Sequence, residues 1–128
     1  MGTVIFLAIS AALWLPYGLF CFANPGFLAE AAGVAASSTT GTIELRAMYG
    51  GLQAGIGALA LLAIWREPLR RPALVCIAFL CAGLGLARLA GAAVDAELSA
   101  YTIMGLFFEW VSVGYAITAL RRLAPSPA

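Results

Sequence analysis

Two ionisable residues stand inside runs that are otherwise apolar: Arg88 in LARLAG and Glu109 in FFEWV. A carboxylate and a guanidinium in such surroundings can hold a proton, orient the polar head of a greasy molecule, or neutralise one another. A second polar group opens the stretch TIELRAMYGGLQAG, residues 42–55, with Glu44, Arg46, Tyr49 and Gln53. On a helix, Tyr101, Gly105, Ser112 and Ala116 share a face with Glu109. The spacing thus suggests a site in which Glu109 is the acid or base, Arg88 its orienter and Glu44 a second carboxylate. Arg46, Tyr49, Gln53, Tyr101 and Ser112 would then bind the ligand. A cavity is expected where Gly105 supplies no side chain.

Other chemistry is closed off by composition. There is no histidine, and all seven cations are arginine. Histidine-ligated haem, ordinary zinc sites and serine–histidine or cysteine–histidine catalysis are excluded. Glu44, Asp95 and Glu109 could hold a cation only against the repulsion of Arg46 and Arg88, so no metal is expected. The GG pair lies within a helical run rather than a phosphate loop, so no cofactor is expected either. A net charge of +1 without a basic cluster gives no footing for nucleic acid. Cys21, Cys76 and Cys81 form no CxxC pair and read as small buried hydrophobes.

The elements that carry these residues follow from hydrophobicity. The chain is 63% hydrophobic and 10% charged, with a mean hydropathy of +0.99. Soluble domains carry about 25% charged residues, so lipid is the solvent this surface fits. Crossing a core of ~30 Å takes about 20 apolar residues. Four runs qualify, at about 4–23, 43–65, 72–94 and 98–120. The expected fold is all-α: one domain over residues 1–128, a polytopic membrane protein folded as an antiparallel bundle of four transmembrane helices.

Arginine placement orients the bundle. WREPLRRP, between the second and third runs, holds Arg66, Arg70 and Arg71, and the tail RRLAPSPA holds Arg121 and Arg122. The connections 24–42 and 95–97 carry Glu30, Asp95 and Glu97 and no cation. The positive-inside rule therefore makes both termini cytoplasmic. The first run lacks the basic n-region of a signal peptide and exceeds the usual h-region, and Pro16 is expected to kink it. The long connection suggests a short interfacial helix over Phe27–Ala36, then a loop through SSTTG, with Thr42 capping the second span. Small residues suit close helix packing in lipid: Ala47, Gly51 and Gly55 with Gly50, Ala54 and Ala58 beside them, then Gly83, Ala87 and Gly91, then Gly105 and Ala116. Contacts within the chain are the first expectation for them, and a homo-oligomer the second.

Depth sharpens the site. Glu109 has eleven uncharged residues on each side within its run. At 1.5 Å per residue it sits roughly 12–16 Å below the outer surface, Arg88 roughly 9 Å and Gln53 about 15 Å. All these polar features fall in the outer half. Charges near a helix centre cost about 2.5–3.5 kcal/mol each even on a lenient scale, so Arg88 and Glu109 are expected to face inward and pair, with Glu44 as competitor or third member. Each residue also has a plain reading. Glu44 suits a helix N-terminus, and Arg46 can reach the head groups. Tyr49 and Tyr101 suit the interfacial belt, and Gln53 an interhelical hydrogen bond. Trp110, Phe107 and Phe108 suit lipid contact, and Asp95 and Glu97 solvated loops.

The segment ELRAMYGGLQAG, followed by Arg88 in LARLAG and Glu109 in the last run, resembles a bacterial four-span membrane family known as domain of unknown function 4345. The likeness covers nearly the whole chain, and E-x-R-x-x-Y-G-G is its distinctive part. It implies four helices in a bacterial inner membrane, with Glu44, Arg46, Tyr49, Gly50, Gly51, Arg88 and Glu109 as matching positions, and it implies no activity. A fainter likeness to DoxX-like proteins rests on architecture alone. Three functions are expected from the residues. The first is binding or converting a small lipophilic molecule by acid–base chemistry. The second is a non-catalytic role as a subunit or assembly factor of a membrane complex. The third is proton-coupled transport, against which the apolar inner halves of the spans count.

Overall fold

A computed structural model describes residues 1–123; the end of the arginine-bearing tail, residues 124–128, lies outside them. The described residues form helices and connections without a strand. Four helical stretches are long and apolar enough to cross a membrane: Gly2–Ala23, Thr39–Trp65, Glu67–Asp95 and Ala100–Arg122. Large apolar side chains point outward along them, including Phe79, Met104 and Phe107 at 78%, 72% and 72% exposure. Water would not tolerate such a coat, whereas acyl chains cover it at no cost. The chain divides into two compact units, Met1–Arg70 and Arg71–Ala128.

In the first unit, α1 (Gly2–Ala23) continues helically through Pro16. After it, α2 (Phe27–Ala32) is shorter than the expected interfacial helix, because Gly33 turns left-handed at φ +68° and ends it. A left-handed residue redirects the chain, and glycine adopts it without a Cβ penalty. The next helix, α3 (Thr39–Leu45), starts within the expected SSTTG loop. Its cap is Ser38, not Thr42: the Ser38 hydroxyl accepts from the Gly41 N–H at 3.1 Å, while the Thr42 hydroxyl donates to the Ser38 carbonyl. With four Ser/Thr residues in a row, apolar onset alone placed the start too late.

A π-helical turn, Arg46–Gly51, joins α3 to α4 (Leu52–Trp65). The wider turn is a recurrent feature of functional or strained helix segments, and the GG pair leaves it free of two Cβ atoms. Here α1 meets α4 backbone to backbone. A Cβ on Gly18 would collide with the Ala54 amide and one on Gly57 with the Leu15 amide, while one on Gly50 would come within 2.8 Å of the Phe22 Cβ. The contacting numbers run in opposite directions along the two helices. Of the expected small residues, Gly50 and Ala54 meet α1, whereas Gly51 and Gly55 do not: nothing outside its own helix lies within 4 Å of a Cβ on Gly55, and the atom nearest one on Gly51 is the Arg46 carbonyl at 3.9 Å.

The second unit holds most of α5 (Glu67–Asp95) and α6 (Ala100–Arg122). Ala96 turns left-handed at φ +51°, and the Glu97 N–H bonds back to the Ala92 carbonyl at 3.3 Å. Ser99 then caps α6 by accepting from the Thr102 N–H at 3.2 Å. Of the small residues expected to pack on α5, Gly83 and Gly91 have open space around them; Gly85 lies instead against the Trp110 indole, an added Cβ reaching Nε1 at 3.2 Å.

Candidate functional site

Arg88 and Glu109 face each other across the α5–α6 seam. Arg88 Nε donates to both carboxylate oxygens, Oε1 at 3.1 Å and Oε2 at 3.2 Å, and its terminal Nη2 donates to Oε1 at 2.9 Å. The planar fork of arginine suits this bidentate grip. Glu109 lies nine residues into α6 and Arg88 seven before the end of α5, or about 14 and 10 Å along their helices. The long arginine side chain spans the difference. Its burial is unequal: the Arg88 side chain is 28% exposed and that of Glu109 only 4%.

Three neighbours shape the pair. Gly105, one turn above Glu109, leaves the space in which the guanidinium lies; a Cβ there would come within 2.8 Å of Arg88 Nε. The cavity expected at this glycine is thus filled by Arg88 itself. Tyr101, a further turn up, presents its ring 5.7 Å from Arg88 Cζ, within cation–π range. Below, Ser112 is buried, and its hydroxyl is within hydrogen-bonding reach of the Cys81 thiol. Cys81 is fully buried, and Glu109 and Ser112 are two of the three buried polar residues found with Ser10 among the described residues. A polar seam therefore runs from Tyr101 through Arg88 and Glu109 to Ser112 and Cys81.

Cys81 is buried in the core, as its apolar surroundings in the sequence suggest. Its spacing of seven from Arg88, two helical turns, puts both on one face of α5.

The remaining candidates belong to the first unit. Glu44 is exposed on α3, and Tyr49 and Gln53 are half-buried in the π turn and the start of α4. Arg46 is exposed, and its Nε donates to the Phe22 carbonyl at 3.1 Å. That carbonyl belongs to the last turn of α1, whose acceptors lack helical partners. Arg46 and Gly50 of the distinctive E-x-R-x-x-Y-G-G segment thus clasp the end of α1, one by a hydrogen bond and the other by having no side chain.

Four spans, an apolar coat and a charge pair buried between the last two helices define a small, all-helical, polytopic membrane protein. The family model of DUF4345, a domain of unknown function, matches residues 3–120, and the chain belongs to that family. No curated protein and no solved structure matches it.

Proposed function

We propose that this protein binds a small lipophilic molecule with a polar or acidic head at the Arg88–Glu109 pair and converts it by acid–base chemistry. The observation that carries this reading is the unequal burial of the pair. The guanidinium is reached from outside the protein while the carboxylate is held in the apolar seam. An incoming enolate, carboxylate or carbonyl oxygen would take hydrogen bonds from Arg88 and loosen its grip on Glu109. Glu109 is then the group placed to accept or donate a proton, with Ser112 beside it on the inner side and Tyr101 against the head group. Binding energy from the apolar part of the molecule would offset the cost of parting the ions. The membrane proposed for it is a bacterial inner one, and the distribution of arginines supports both termini in the cytoplasm.

Small molecules extracted from the purified protein in native lipid discs test this. The wild type is expected to retain a lipophilic acid, phenol or ketone that Glu109→Gln loses. An identical complement in both would overturn the proposal. The paired replacement Arg88→Met with Glu109→Leu serves as the folded control, because exchanging a whole buried pair is often neutral.

A second reading rests on one observation: both Glu109 oxygens are already engaged by Arg88. A pair so satisfied can serve only to set helix register in a non-catalytic complex subunit. Purification with a stoichiometric partner, and retention of that partner by Glu109→Gln, would favour it.

A further inference from the structure

The pairing that defines the seam also fixes what lies at its ends. Cys81 meets Ser112, Gly85 meets Trp110, and Arg88 meets Glu109 and Gly105. As the number falls on α5, it rises on α6. Continued along both helices, this register brings Arg71, in the second turn of α5, level with Arg121 and Arg122 in the last turn of α6. All three are exposed. The far end of the same unit carries Asp95 and Glu97, also exposed. The unit is therefore charged in opposite senses at its two ends.

The distance between those ends decides what meets them. Arg71 and Asp95 are ends of a single helix separated by 24 residues, about 36 Å. That exceeds the ~30 Å hydrocarbon thickness and falls within the ~40–45 Å that includes both head-group layers. A hydrocarbon core centred on this helix would leave the Arg71 end in a head-group layer. Arg70, the sequence neighbour of Arg71, is bound to Glu67 and to the Ile64 carbonyl. Arg121 and Arg122 also complement the C-terminal end of the α6 dipole, a role that leaves the outer edge of a guanidinium able to meet phosphate.

We infer that Arg71, Arg121 and Arg122 form a binding site for the head group of an anionic phospholipid. Guanidinium forks match phosphate oxygens in pairs, and the acid nearest to Arg71 along α5, Glu67, is already engaged by Arg70. The site is independent of the proposed chemistry at Glu109, from which it is separated by about half the length of α6.

The test is competition at the protein boundary between spin-labelled phosphatidylglycerol and spin-labelled phosphatidylcholine, in phosphatidylcholine vesicles containing the full chain. At low salt the wild type should prefer phosphatidylglycerol by roughly fivefold for each engaged arginine. The preference should fall steeply with added salt, and Arg71→Gln/Arg121→Gln/Arg122→Gln should bring the ratio close to one. Absence of a preference in the wild type, or a preference that salt leaves unchanged, overturns the inference whether or not the variant folds. A folded triple variant with wild-type selectivity overturns it as well. A wild type without lipid preference that instead binds an acidic peptide would move these arginines to a protein interface.

Discussion

The two units hold their helices together by opposite means. In the first, α1 and α4 touch through glycines, and the atoms in contact are backbone: Gly18 on the Ala54 amide, Gly57 on that of Leu15. In the second, side chains fill the seam: Arg88 lies over Gly105, and Trp110 over Gly85. Lipid gives apolar surface no reason to hide, so helices associate by close packing or by satisfying polar groups. The glycine seam uses the first route and tolerates no growth. The ionic seam uses the second and tolerates no unpaired partner. A glycine thus does different work in each. Gly57 lets two backbones meet, whereas Gly105 makes room for a charge.

This contrast can be broken by substitution. Glu109→Ala strands a guanidinium in the apolar seam and should have the largest effect, a loss of about 3 kcal/mol in equilibrium unfolding from mixed micelles. The double replacement Arg88→Met with Glu109→Leu should recover most of that loss. An equal loss in single and double variants would show that the ion pair is not what holds the seam. Gly57→Ala comes next, at about 2 kcal/mol, since its new methyl meets backbone that cannot move aside. Gly55→Ala, on the open face of the same helix, should be neutral or gain up to ~1 kcal/mol from helix propensity. Gly105→Ala should cost only about 1 kcal/mol, because the atom it meets is the end of a flexible arginine; a cost as large as that of Gly57→Ala would erase the distinction between the seams. Arg46→Met, which removes the clasp on Phe22, should also lower stability by about 1 kcal/mol in the same assay. A small gain is expected at the α5–α6 connection: Ala96→Gly relieves a left-handed residue and should add about 0.5 kcal/mol.

Much of this is legible in the sequence. Span number and approximate limits follow from hydropathy, because crossing a bilayer demands apolar length and little else. Pairing of Arg88 with Glu109 follows from depth and the cost of lone charges. The glycine seam did not follow. Four-residue spacing recurs on several faces of a helix with this many small residues, and Gly50 and Gly51 are adjacent, so the sequence does not say which stripe meets a neighbour. The helix start at Thr39 was hidden because several consecutive hydroxyl residues could each cap it. The role of Arg46 was hidden for a different reason: its partner is a main-chain carbonyl, which any residue at position 22 would offer. At Gly105 the missing side chain suggested a vacancy, and only the length of arginine explains why it is filled.

The ion pair also constrains how the protein is made. Arg88 leaves the ribosome 21 residues ahead of Glu109, so the third span is synthesised as a hydrophobic rod with a naked cation. Until the fourth span follows, that cation adds a cost of about 2.5–3.5 kcal/mol to an otherwise apolar rod. Because only a short connection separates the last two spans, the charge of the third can cancel as soon as the fourth is in place.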